Sequence, residues 1–262
     1  VKFAFLAVLL SSQLIFAGDA TNSVVTIPFG SPNCQSVKVS KHVFATVTHC
    51  VVNFASGKQL LNVTDSLVLR YGLDRDKKAQ VTVTDIGWHS SLRKPKGGFL
   101  LVTDMTDFSE LILFKVKEDT ADISEAPLMS EADWKALQPT DKVGWIGLRK
   151  NAMGLPSATL LRSEIYTSKN YRLATVESLL ALGKKAPWVE KGDSGTGLFS
   201  LDANGDPDKL IGVVSMREKT DQPEARLFQK AFPMGAGSIS EQIFSGIEKT
   251  MDWETDWRVI SP

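Results

Sequence analysis

The 262-residue sequence is poor in cysteine, with two, and in histidine, with three. Two cysteines exclude a disulfide-dense small scaffold. No compact Cys/His cluster surrounds them, which argues against a structural zinc site. Neither sign of charge is in excess, since Lys plus Arg and Asp plus Glu each number 30. No long basic run occurs, so nothing points to a nucleic-acid or membrane-surface partner. After the first twenty residues no apolar stretch is long enough to span a bilayer. What is left is an ordinary globular composition, 43% hydrophobic and 23% charged. It suffices for one large all-β unit or two small domains, with a sizeable core in either case.

The first residues, VKFAFLAVLLSSQLIFAGDA, place Lys2 ahead of an apolar core from Phe3 to Phe16 and small residues at Ala17, Gly18 and Ala20. This is the pattern of a secretory signal peptide, with cleavage expected after Ala17 or, second, after Ala20. A buried N-terminal helix is the alternative. Val1 fits a non-ATG start codon and hence a bacterial source. In an exported chain the lone pair Cys34 and Cys50 is expected to be bridged, closing a loop that stabilises by roughly 3 kcal/mol. Two free buried thiols are the alternative.

Short apolar segments separated by turns dominate the rest. Ser23–Pro28, Val43–Val47, Ser66–Tyr71, Gln80–Gly87 and Leu111–Val116 lie in the first half. Lys142–Leu148, Ala158–Tyr166, Thr196–Ser200 and Leu210–Ser215 lie in the second. They are rich in Val, Ile, Thr and Phe, and several alternate, as strands do. Their spacing predicts antiparallel barrels or sandwiches rather than βαβ units. Helical patterns are few. Glu131–Leu137 reads as a short surface helix capped by Ser130. Ser240–Trp253 carries Ile243, Phe244, Ile247 and Met251 at helical spacing, the stripe of a helix packed on the body. The polar, acidic segment Lys117–Pro139 divides the chain into similar halves and is read as the connection between them. Lys94–Gly98, Asn204–Lys209 and Lys219–Ala225 read as surface loops.

Two places carry potential chemistry. His49 stands in Ala45-Thr-Val-Thr-His-Cys50, at the end of an apolar strand and beside a cysteine. A bridge at Cys50 would pin the backbone next to its imidazole and hold a general base; a partly buried structural histidine is the plain reading. Ser194 stands in Lys191-Gly-Asp-Ser-Gly195. A serine nucleophile needs a base for its proton and donors for the oxyanion. The N–H groups of Gly192 and Ser194 can be those donors. Alone, the four residues Gly-Asp-Ser-Gly are equally a turn.

Taken together, ATVTHC and KGDSGTGLFS, in the order base then serine, resemble the histidine and serine motifs of the chymotrypsin-like (trypsin-fold) serine peptidases. Weaker echoes extend over most of the mature chain: Gly87-Trp-His-Ser-Ser91, Val143-Gly-Trp-Ile-Gly147 and Ile211-Gly-Val-Val-Ser215. The resemblance implies an all-β fold of two six-stranded antiparallel β-barrels with a C-terminal helix and the site in the cleft between the barrels. The expected boundaries are 1–17 for the signal peptide, 21–122 for the N-terminal barrel, 123–140 for the connection, 141–239 for the C-terminal barrel and 240–262 for the helix and tail. It implies His49 as general base and acid, Ser194 as nucleophile, and an oxyanion hole from Gly192 and Ser194, with no metal or organic cofactor.

The resemblance is imperfect in three respects. The family's acid is an Asp ahead of an apolar run; here the run Leu111–Val116 is preceded by Glu110. Glu110 is therefore the expected acid, with Asp107 as the alternative and no working acid as the third possibility. The Ile-Val-Gly-Gly start that pairs with the Asp before the serine is absent, so activation differs or Asp193 takes another partner, with Lys184, Lys185 and Lys191 nearby in sequence. Trp188 stands where relatives carry a small or acidic pocket floor, and Ser215-Met216-Arg217 replaces Ser-Trp-Gly. These four residues would form the substrate-binding pocket, without trypsin specificity. Arg217 would select an acidic side chain, or Trp188 and Arg217 would fill the pocket.

The expected activity is thus a secreted or periplasmic serine endopeptidase acting on protein or peptide substrates, with no nucleic-acid partner. A pseudo-peptidase serving as a binding module on the same fold is the second reading. An unrelated secreted β-protein with a Gly-Asp-Ser-Gly turn is the third, and it requires His49 and Ser194 to lie far apart.

Overall fold

The computed structural model describes residues 21–30, 33–53, 58–89, 92–93, 101–102, 111–138, 141–164, 166–168, 171–174, 192–218, 228–233 and 257–260. The first half contributes β1 (Val24–Thr26), β2 (Gln35–Ser40), β3 (Val43–Val47), a short pair β4 (Val52–Asn53) and β5 (Lys58–Gln59), then β6 (Ser66–Tyr71) and β7 (Lys77–His89). A second short pair, β8 (Leu92–Arg93) and β9 (Leu101–Val102), precedes β10 (Leu111–Val116). Strands β10, β3, β2, β1, β6 and β7 pair in that order, and β7 pairs again with β10. The circuit is a closed six-stranded antiparallel barrel, which removes the sheet edges.

Local sequence explains the burial pattern. β3 is buried at every residue, and β10 at all but Lys115, as apolar runs covered on both faces should be. β6 alternates exposed and buried with period two, one face inside and one in water. Phe44 and Phe114 stand opposite each other on β3 and β10, and their rings stack with centroids 5.4 Å apart.

The second half contributes β11 (Lys142–Lys150), β12 (Pro156–Glu164), β13 (Tyr166–Ser168), β14 (Tyr171–Ala174), β15 (Gly197–Leu201), β16 (Pro207–Glu218) and β17 (Phe228–Pro233). These form a seven-stranded sheet in the order β12-β11-β15-β16-β17-β14-β13. Every pairing given for it is antiparallel. Where the sequence implies a second barrel, no closing pair occurs among the described residues. The loop expected over Asn204–Lys209 is shorter than that, because β16 begins at Pro207.

The segment after β10 runs from barrel to sheet. Ile123 and Ala126 are buried in the barrel core. The buried ammonium of Lys38 donates to the carbonyls of Thr120 and Ile123 at 3.0 and 2.9 Å. Burial pulls this lysine below its ordinary range. A few residues on, Leu210 N–H donates to Pro127 O and Met129 N–H to Leu210 O, so the same segment joins the edge of β16. The short helix Glu131–Ala136 follows, with Asp133 N–H bonded to the Ser130 hydroxyl at 3.1 Å, the expected cap.

One continuous core unites the two halves: Ile146, Ala158, Phe199, Leu210 and Val213 of the second sheet pack with the barrel interior. A smaller cluster of Met129, Val143, Trp145, Leu198, Ile211 and Val214 forms a second core among the described residues. Residues 240–253, expected to be helical, lie outside the described residues. Beyond them β18 (Trp257–Ile260) adds antiparallel to β7, returning the chain to the first barrel.

No helix among the described residues is long and apolar enough to cross a membrane. Residues 1–20, with the expected signal peptide, lie outside the description.

Candidate active site

β3 delivers the chain to a single helical turn, Thr48–Val51, on which His49 is half-buried and Cys50 fully buried. Cys50 is bridged to Cys34, with the Cα atoms 5.8 Å apart, so neither thiol is free. The bridge fastens the turn that carries His49 to the residue preceding β2. Of the other histidines, His42 sits in the turn between β2 and β3, its Nδ1 3.3 Å from the Glu118 carbonyl. His89 ends β7 opposite Trp257.

Gly192 to Thr196 form the turn that enters β15. Gly192 and Gly195 adopt φ of +100° and +83°, a region open to glycine at little cost. A Cβ at Gly195 would also overlap the carbonyl of Gln35 and the hydroxyl of Thr46. Thr196 N–H closes the turn on Asp193 O at 3.1 Å. Gly195 N–H donates to Val214 O, and Val214 N–H to Thr196 O, both at 2.8 Å. The turn is thus welded to β16, and Ser194 remains half-buried at its crest.

The two halves meet at this turn. Gln35 N–H, one residue past Cys34, donates to Ser194 O at 2.8 Å. Cys50 Sγ lies 3.7 Å from the same carbonyl oxygen. The main chain of Ser194 therefore rests on the bridge whose other neighbour in sequence is His49. A Gly-Asp-Ser-Gly turn remote from the histidine, as an unrelated β-protein requires, does not fit this arrangement.

Asp193 is completely buried. Its carboxylate takes Arg149 Nη1 on Oδ1 at 2.9 Å and Nη2 on Oδ2 at 2.8 Å, a two-pronged pair, and Trp145 Nε1–H on Oδ2 at 3.3 Å. The nearby lysines suggested by the sequence lie outside the described residues; among the described residues an arginine from β11 pairs with this carboxylate. β11 and β15 are hydrogen-bonded neighbours, with Trp145 opposite Leu198, which brings Arg149 to Asp193. An internal cation thus neutralises the carboxylate next to Ser194.

Other expected site residues are placed less fully. Ser215, Met216 and Arg217 lie on β16, with Arg217 in register with Gln229 of β17. Glu110, Asp107 and Trp188 lie outside the described residues. Leu111, directly after Glu110, pairs with Val47, two positions before His49. No group of three or more potential metal-ligating side chains occurs among the described residues.

Sequence reasoning overlooked Gln35, Arg75 and Arg149. Gln35 could have been noticed as the residue after the first cysteine, and Arg149 as a cation on the strand of the Gly-Trp motif. Arg75 carries no local signal, since it sits in an ordinary hairpin loop.

A comparison with curated protein sequences finds no match. The family model described as Trypsin matches residues 18–234, a span that includes the His49 turn, the Cys34–Cys50 bridge and the Ser194 turn, and the chain belongs to this family of chymotrypsin-like serine peptidases.

Proposed function

We propose that the protein is an exported serine endopeptidase that cleaves peptide bonds through an acyl-enzyme. Ser194 Oγ attacks the substrate carbonyl while the His49 imidazole takes its proton. The oxyanion is stabilised by the N–H groups of Gly192 and Ser194. The C–N bond then breaks as His49 returns the proton to the leaving amine, and water releases the acid by the reverse route. Glu110 orients His49, with Asp107 as the alternative; the pairing of Leu111 with Val47 supports an acid near the end of the histidine strand. Trp188, Ser215, Met216 and Arg217 form the substrate pocket, and the acidic-side-chain preference inferred for Arg217 follows from its charge.

The single observation that carries this reading is the docking of Ser194 O on Gln35 N–H and beside Sγ of Cys50, the residue that follows His49 in sequence. The Arg149–Asp193 pair adds that the carboxylate beside the nucleophile has a counter-ion without a newly cut N-terminus. The test is labelling by a fluorophosphonate probe with peptide mapping. Modification at Ser194 that vanishes in Ser194→Ala and His49→Ala supports the reading. An unlabelled protein that still binds a peptide partner would favour the binding-module reading, to which the Trp188 and Arg217 substitutions lend weight.

A further inference from the structure

We propose that Gln35, anchored by Arg75, is a positioning residue that holds the nucleophile turn in register. Its kinetic consequence rests on the peptidase reading above; its structural consequence does not.

Gln35 is fully buried at the start of β2, and both its main chain and its side chain are committed. Its N–H holds Ser194 O at 2.8 Å. Its carbonyl accepts the Thr46 hydroxyl at 2.8 Å, three residues before His49. Its amide Nε2 donates to Gly192 O at 2.9 Å and to Ile146 O at 3.2 Å. Its Oε1 accepts Arg75 Nη2 at 3.3 Å. One residue is thereby bonded to the strand of the proposed base and to carbonyls on both sides of the proposed nucleophile.

The two carbonyls it holds bracket the chemistry. Fixing Gly192 O sets the plane of the Gly192–Asp193 peptide, and fixing Ser194 O sets that of Ser194–Gly195. The Ser194 N–H and side chain lie between them. Gly192, at φ +100°, and Gly195, at φ +83°, have no side chains to restrict rotation of the peptides they flank. The Gln35 side-chain amide restrains the first of these peptides from outside the turn, and its main-chain N–H the second.

Arg75 makes the amide's orientation unambiguous, since a guanidinium has no acceptor and must face the oxygen. It reaches inward from the loop between β6 and β7, donating also to Val24 O at 2.6 Å and Gly72 O at 3.2 Å. It is buried, and among the described residues its Nε has no hydrogen-bond partner and no carboxylate bonds to it. Burial pulls its guanidinium down to about 10, still charged at neutral pH. Its backbone is left-handed at φ 54°, unusual for a residue other than glycine. A buried cation on a strained backbone is a costly way to fill space. Orienting a buried amide against the nucleophile turn gives that cost a purpose.

The experiment compares wild type with Gln35→Glu and Gln35→Met. A carboxylate at position 35 keeps the acceptor for Arg75 but takes the donor away from Gly192 O and Ile146 O. Methionine keeps only the length. Turnover of a peptide ester, hydrogen exchange of a fragment covering residues 192–195, and thermal unfolding are measured on each. The expected result is a kcat lower by roughly 10- to 100-fold in both variants, with KM within about threefold, because misplacement of a reacting group acts on the transition state. Exchange at 192–195 rises in both. Gln35→Glu melts above Gln35→Met, because it retains the Arg75 contact, yet regains no turnover. Wild-type kcat and wild-type exchange in both variants would overturn the proposal, as would turnover that recovers in step with stability. If wild type neither turns over nor labels while exchange at 192–195 rises in the variants, the restraint stands and the peptidase reading fails.

Discussion

Replacing Arg149 by Met removes a cation and leaves most of its aliphatic stem. The side chain of Asp193 is fully buried and that of Arg149 only 19% exposed, with the charges 2.8 Å apart. Removing one partner of such a pair strands the other charge and costs about 3–5 kcal/mol. The partial exposure of Arg149 and the remaining Trp145 donor put the expectation at the low end, about 3 kcal/mol. At 1.36 kcal/mol per factor of ten, that is roughly two powers of ten in the folding constant. With a urea slope of about 3 kcal/mol/M for a chain of this size, the midpoint should fall by about 1 M. Adding Asp193→Asn to the same chain removes the stranded carboxylate. The double variant should recover most of the loss, so that the two changes are strongly non-additive. Fluorophosphonate labelling should fall in Arg149→Met before global unfolding, because the freed carboxylate adjoins Ser194. A midpoint within about 0.3 M of wild type, well below the shift expected from the slope above, or two additive losses, would refute a structural role for this pair.

Gly195→Ala should destabilise severely and abolish labelling, since left-handed backbone alone costs about 1–2 kcal/mol and the new methyl would overlap Gln35 O; a soluble, labelled variant with a native melting curve would contradict this. Cys34→Ser with Cys50→Ser should lose roughly 3 kcal/mol in urea unfolding and loosen the His49 turn; an unchanged midpoint would remove the bridge from the account. Hydrogen bonds from the Thr82 N–H and hydroxyl, at 2.6 and 2.9 Å, hold the Glu118 carboxyl below the usual range. Such a depressed group stabilises fully above its unfolded value, about 4.3, and loses its contribution as pH falls through the folded one. Glu118→Gln should therefore be less stable than wild type at pH 6, with a gap that closes on acidification, and a pH-independent gap would count against it.

Much of this protein could be read along the chain. The strands Val43–Val47, Ser66–Tyr71 and Leu111–Val116 match the sequence reading residue for residue. Their β-branched and aromatic runs are strong local signals, and side-chain alternation is a property of the strand alone. β2 went unread, because Gln35, Ser36 and Lys38 are buried polar residues that no periodicity rule assigns to a core. β18 went unread because a four-residue strand has meaning only beside the partner that completes its hydrogen bonds.

The candidate site divides in the same way. His49 and Ser194 were legible as candidates because each motif lies within a few consecutive residues, and the two cysteines as a bridge because they are the chain's lone pair. The partners were not. Gln35 reaches Gly192 across 157 residues of sequence, Arg149 reaches Asp193 across 44 and Arg75 reaches Gln35 across 40. Such contacts follow from which strands become neighbours and from where their registers put each side chain. Sequence by itself determined most of the core strands, the candidate side chains His49 and Ser194, and the glycines that let the turn form. Only the tertiary structure decided which buried cation meets which buried carboxylate or amide, because a charge taken out of water is stable only where folding has already put its partner within hydrogen-bonding distance.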